Sequence, residues 1–142
     1  MHDWLQRVWY GGERAPWWLR SLAAVTLAQG GDRRSSRALW QSLRESADND
    51  WLRSNASLRL AQLDALDAID QLTAVVAAFR ARTGRFPASW DALVRARMLR
   101  AAPLDPAGVP YVLDLATGSV TLGAGSPLSP LPVGAQVDRP AR

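Results

Sequence analysis

From Asp50 to Arg82 the chain runs for 33 residues without a glycine or a proline. Within that stretch Trp51, Ala56, Leu60, Leu63, Leu66, Ile69, Leu72, Val76 and Phe79 recur at spacings of three to five, which predicts one long amphipathic helix. A helix of that length exceeds most globular helices. Leu63-Asp64-Ala65-Leu66-Asp67 offers a second cap, so a break or offset is expected near Asp64. In 142 residues an element this long leaves room for one ordinary domain or two small packed units.

The residues before it read as shorter helices. Trp4, Leu5, Val8 and Trp9 have i, i+4 spacing on a short turn that Gly11-Gly12 ends. Pro16 suits a first helical turn, and Trp17 to Ala28 follows without a breaker. Trp18, Leu22, Val25 and Leu27 give an imperfect helical face. Gly30-Gly31 stops it, and Asp32 is the expected N-cap of a second helix reaching about Ala47, with Ala38, Leu39, Trp40 and Leu43 as its apolar members. The tight Gly-Gly-Asp link predicts an antiparallel helical hairpin.

After the long helix the pattern changes. Thr83-Gly84-Arg85-Phe86-Pro87 is a turn, and Ser89 caps a short helix over residues 90–99, with Trp90, Leu93, Val94 and Met98 on its inner side. Residues 103–110 form a proline-rich link. Tyr111 to Leu115 and Ser119 to Leu122 then read as two strands around Ala116-Thr117-Gly118, a hairpin that must pack on helices to persist. From Gly123 the composition turns to proline and glycine, which predicts an extended tail whose leucines give it reason to dock. The expected fold is mainly α: antiparallel helical hairpin, long helix and small C-terminal β-hairpin. Its regions are 1–64 (helical hairpin), 65–122 (helix, turn, helix and β-hairpin) and 123–142 (tail).

Composition narrows the chemistry. With 48 % apolar residues a hydrophobic core is available. There is no cysteine, which excludes disulfides and thiolate chemistry. Formal charge is +4, and every one of the 17 basic residues is arginine. No stretch reaches the ~18 consecutive apolar residues of a transmembrane helix. The start, Met1-His2-Asp3-Trp4, lacks the pattern of a signal peptide. A soluble chain is expected, with its compartment left open.

Two segments look familiar. Leu19, Leu22, Ala23, Leu27 and Gly30, followed by Ala38, Trp40 and Leu43, resemble one and a half helical-hairpin units of the tetratricopeptide class. Residues 66–122 combine a long helix, the Gly84 to Pro87 turn and the intact run Pro103-Leu104-Asp105-Pro106-Ala107-Gly108-Val109-Pro110-Tyr111. That run resembles the P-x-D-P-x-G-x-P-Y segment of type II secretion major pseudopilins. The chain departs from those proteins in having tryptophan-rich helices where they have a hydrophobic N-terminal helix. It also has no Asp or Glu between Gly118 and Ser126, where they carry calcium-liganding acids. The joint resemblance is to the C-terminal region of tetratricopeptide-like bacterial proteins that end in a pseudopilin-like segment. Polymerisation is not implied.

Candidate sites follow from residue type. Trp4, Trp9, Trp17 and Trp18 are the interaction candidates, with packing near Trp40 and Trp51 as the alternative. Adjacent Trp17 and Trp18 lie about 100° apart on a helix and cannot share a face. Arg80, Arg82, Arg85, Arg95, Arg97 and Arg100, opposed by Asp91 alone, suit an anion, a protein contact or a solvated surface. Gly84, Pro87, Pro103, Asp105, Pro106, Gly108, Pro110 and Tyr111 are expected to set rigid turns, with Asp105 accepting backbone hydrogen bonds. Asp64, Asp67 and Asp70 read as a solvated helix face, and His2 is the lone histidine, so neither a metal site nor a Ser-His-Asp relay is expected. No catalytic residue and no cofactor are expected. The leading expectation is a non-catalytic interaction or structural module, the terminal part of a larger assembly. Its partner would be another protein, with self-association open to it. The alternative is a nucleic-acid or anionic-surface binder through the arginines at 80–100, with nucleic acid not the favoured partner. An enzyme would need a pocket of convergent acids that the sequence does not suggest.

Overall fold

The computed structural model describes residues 16–132. Element order is α1 (Trp17–Gln29), α2 (Arg33–Ser46), α3 (Asp50–Thr83), α4 (Trp90–Arg95), β1 (Val112–Leu113) and β2 (Val120–Thr121). The fold is mainly α-helical with one small two-stranded antiparallel hairpin. The described residues divide into two compact units, 16–63 with 131–132, and Asp64–Pro130.

In the first unit α1 and α2 form an antiparallel hairpin. Its register is set by Ser36 Oγ donating to the Ala24 carbonyl at 2.7 Å and by the Arg20 guanidinium donating to Ser42 Oγ. Asp32 caps α2 by accepting from Ser35 N–H at 3.1 Å, as expected, and Gly31 takes a φ of 89° that favours glycine. The α2 side of the hairpin core is the predicted one, and the α1 side is not. On α1 the buried face is Arg20, Ala23, Ala24 and Ala28, against Leu39, Trp40 and Leu43 buried on α2. Trp18 and Leu22, on the helical face read from the sequence, are exposed. Alanines let two helix backbones approach closely, and large side chains on that face would hold them apart. Buried Arg20 lies among these small residues with its Nε unpaired, so hydrophobicity did not choose this face.

Helix α3 is capped by Asn49 Oδ1, which accepts from Leu52 N–H at 2.8 Å. It runs unbroken from Asp50 to Thr83, so the expected break near Asp64 does not occur. Asp64 is solvent-exposed. An aspartate in a helix interior costs only about 0.5 kcal/mol relative to better formers, too little to interrupt burial of Leu63 and Leu66 on either side.

The second unit builds its core from Leu72, Val76, Leu93, Tyr111 and Val120, with Ile69, Phe79, Phe86, Trp90 and Met98 packed against it. Ser89 caps α4 by accepting from Ala92 N–H at 3.2 Å. The helix is shorter than predicted because a Schellman turn ends it: Met98 N–H donates to the Leu93 carbonyl at 2.9 Å and Arg97 N–H to Val94 at 3.0 Å. That turn puts Arg97 at φ 61°, the left-handed position usually given to glycine. The hairpin pairs Val112 with Thr121 and Leu113 with Val120. Residues 123–130, assigned above to a tail, belong to this unit, with Leu128 3 % exposed.

Candidate interaction surface

Four large apolar side chains of the first unit are exposed. Trp17 is 49 % exposed, Trp18 57 %, Leu22 52 % and Trp51 64 %. Three of them lie on α1 and the fourth at the start of α3. The Trp17 and Trp51 rings meet edge to face, centroids 6.0 Å apart and planes at 72°. Trp18 follows Trp17 in sequence, and Leu22 lies one turn on from Trp18. Leu58, also exposed, lies two turns along α3 from Trp51. Asp50 and Arg53 flank Trp51 and pair with each other at 2.8 Å, so they add no net charge.

Trp17 and Trp18 were candidates by sequence, while Leu22 and Trp51 had been placed inside. Trp51 was misread because its spacing to Ala56 is five. Leu52, Ala56, Leu60 and Leu63 give the true buried stripe at spacings of four, four and three. Trp4, Trp9 and His2 lie outside the described residues.

In the second unit the 103–111 segment converges on Asp105, only 4 % exposed. Its Oδ1 accepts from Ala107 N–H at 2.7 Å and Val109 N–H at 3.1 Å, and its Oδ2 accepts from the Ser126 hydroxyl at 2.7 Å. Burial pushes the carboxyl pKa up, but the bonds from Ser126, Val109, Ala107 and Gly108 outweigh it and set the pKa below the ordinary 3.8. Ser126 Oγ also accepts from Leu128 N–H at 3.3 Å, so Asp105 ties the loop to residues 126–128. Tyr111 is buried, its carbonyl accepts from the Trp90 indole at 2.9 Å, and its hydroxyl has no hydrogen-bond partner. Burial, reinforced by the charges of Asp105 and Asp64, raises its pKa. Gly108 and Gly84 adopt positive φ, and Pro87 is fully buried. Pro103 is half-buried, and Pro106 and Pro110 are exposed. With every oxygen of Asp105 engaged in holding backbone, the arrangement suits rigidity rather than proton transfer. The participation of Ser126 was missed, since a lone serine in a proline-rich stretch carries no periodic signal.

The arginines do not act as one group. Arg80 lies over the Phe86 ring at 4.3 Å, Arg95 pairs with Asp91, and Arg97 is committed to the turn after α4. Arg82, Arg85 and Arg100 are exposed. Among the described residues no group of three or more acidic, histidine or cysteine side chains is placed to hold a metal ion, Asp64, Asp67 and Asp70 included. Nor is any described helix long and apolar enough to cross a membrane.

No family model, no curated protein and no solved structure matches this chain.

Proposed function

We propose that the chain is a non-catalytic protein-interaction module whose contacts are made by the exposed Trp17, Trp18, Leu22 and Trp51. The observation that carries this is the exposure of three large indoles, each about half-exposed or more, on α1 and at the start of α3. Large aromatics gain most when desolvated at the centre of an interface. Here α1 turns alanines inward and holds Trp17 and Trp18 outside. In the same reading, the second unit is a pseudopilin-like support, on the strength of the intact 103–111 segment. The tetratricopeptide-like character belongs to the α1–α2 hairpin, as one piece of a larger assembly. An anion-binding role for residues 80–100 has less support, because Arg80 and Arg95 already have partners.

The test is site-specific photo-crosslinking in the cells that make the protein. A photoreactive residue at Trp18 is expected to give discrete protein adducts, and the same residue at exposed Arg34 on α2 is not. Equal yields at the two positions would overturn the reading.

A further inference from the structure

We propose that the buried Asp105 carboxylate and the enclosed site of Leu128 form a seat for a Ser-x-Leu triplet. The chain carries two occupants for that seat, Ser126-Pro127-Leu128 and Ser129-Pro130-Leu131, and the strap over residues 123–130 exchanges between the two registers. This inference concerns the second unit and is independent of the exposed indoles.

The seat reads two side chains and ignores the one between them. Ser126 is 5 % exposed and gives its hydroxyl to Asp105 Oδ2 at 2.7 Å. Leu128 is 3 % exposed, and its N–H donates to Ser126 Oγ at 3.3 Å. Pro127, between them, is exposed. A buried carboxylate needs its donors, because an unmet charge away from water is costly. Enclosing a leucine adds apolar burial. Together these select a hydroxyl-bearing residue followed two places later by a leucine.

The next three residues repeat that pattern. Ser129-Pro130-Leu131 is identical in sequence to residues 126–128 and follows them directly. Ser129 and Pro130 are exposed and Leu131 is half-buried. Seating the second triplet lengthens the loop after β2 by three residues, a change with little cost in closure entropy.

Two local features favour the first register. Gly125, just before Ser126, holds a φ of 80°, and a Cβ there would meet nothing within 4 Å, so conformation rather than space calls for glycine. In the second register Leu128 takes that left-handed place, which a side chain disfavours. Ser129 N–H also donates to the Ser126 carbonyl at 3.2 Å. Its counterpart in the second register is Pro132, which has no N–H to give. The second triplet is therefore kept out of the seat by its neighbours, not by its own side chains.

Leu128→Gly in the full chain tests this. The substitution removes the leucine of the first triplet and puts glycine before Ser129, so the run 128–131 reads Gly-Ser-Pro-Leu, as the run 125–128 does in the native chain. The strap is expected to move by three residues. The readout is an exchange of roles between two serines, measured by thermal unfolding. In the native background Ser126→Ala should lower Tm by several degrees and Ser129→Ala by less than about 1 °C. In the Leu128→Gly background the order should reverse. Slow amide exchange, expected at Leu128 in the native chain, should pass to Leu131. Should the glycine variant fail to unfold cooperatively, Leu128→Ala carries the same pair of serine substitutions, since it too deprives the first triplet of its leucine. Ser126→Ala remaining the costlier change in both backgrounds overturns the proposal. So do two serines without effect once Leu128 is replaced, or loss of cooperative unfolding in both Leu128 variants.

Discussion

The two units use their large residues in opposite ways. In residues 64–130, Tyr111 is buried and Phe86 and Trp90 pack against the core, each fixed by a specific contact. Trp90 donates to the Tyr111 carbonyl, and Phe86 is held between Arg80 and Gly118. Gly118 sits so close that a Cβ there would lie 2.4 Å from the Phe86 ring. In residues 16–63 only Trp40 is fully enclosed, while Trp17, Trp18 and Trp51 are held at the surface. One unit is finished internally. The other has a thin interior of alanines and leucines and a surface of indoles. The difference teaches that aromatic content alone says nothing about core size: what matters is which helix face the backbone geometry closes.

The largest expected effect tests the thin interior directly. Among the described residues of the first unit Trp40 is the one large aromatic that is buried, so Trp40→Ala should cost about 4 kcal/mol, within the range for buried aromatic truncations. Chemical denaturation followed by circular dichroism measures it. A loss under about 1 kcal/mol would mean that the hairpin does not depend on its enclosed indole.

The matching test in the second unit is polar. Asp105→Ala strands two backbone N–H groups and the Ser126 hydroxyl, and should cost about 3 kcal/mol. Amide exchange at Ala107 and Val109 should accelerate, since those N–H groups lose their acceptor. The lowered pKa gives this contribution a definite pH dependence. The folded carboxyl titrates below its unfolded value, so its stabilisation is complete above the unfolded value near 3.8 and disappears as pH falls through the folded one. Stability of the native chain should therefore fall on acidification through that window, and the Asp105→Ala variant should fall less steeply. Exposed Asp114, lowered by its bonds from Ala116 and Thr117 N–H, contributes with the same sign in both proteins and does not obscure the comparison.

How much of this was legible in the sequence follows the same divide. Caps and turns were readable because single side chains make them: Asp32, Ser89 and the Asp105 loop act through local hydrogen bonds. The long helix and the hairpin were readable from periodicity and the absence of breakers. The burial face of α1 was not, because two stripes compete there and the larger residues lie on the outer one. Close helix approach favours Ala23, Ala24 and Ala28, a preference that only the partner helix reveals. Docking of the leucines after Gly123 was expected and Leu128 is buried, but the part of Ser126 was hidden, since it depends on a carboxylate 21 residues earlier in the chain. As for the candidate surface, sequence named Trp17 and Trp18 and misplaced Leu22 and Trp51.

A smaller effect, of opposite sign, comes from the turn after α4. Arg97 holds a left-handed conformation that costs a side-chain-bearing residue about 1–2 kcal/mol relative to glycine. Arg97→Gly should therefore stabilise the second unit by about 1 kcal/mol, the unfolded-state entropy of glycine offsetting part of the relief. A rise of a few degrees in Tm is the expected reading. A fall would show that the arginine side chain makes a compensating contact.

The smallest expected change in stability is the one that bears most on function. Trp51 is 64 % exposed and meets Trp17 only edge to face. Trp51→Ala should alter the unfolding free energy by no more than about 0.5–1 kcal/mol, the scale of a surface substitution plus one aromatic pair. Set beside Trp40→Ala, it compares two tryptophans of one unit at opposite ends of the stability scale. Their effects on association should be ordered the other way. Trp51→Ala should weaken partner binding while leaving the fold intact. Under conditions where Trp40→Ala remains folded, that variant should keep the exposed indoles and so the contact. If Trp51→Ala instead destabilised the monomer as much as Trp40→Ala, the exposed indoles would be part of the fold's own support, and the contrast between the two units would close.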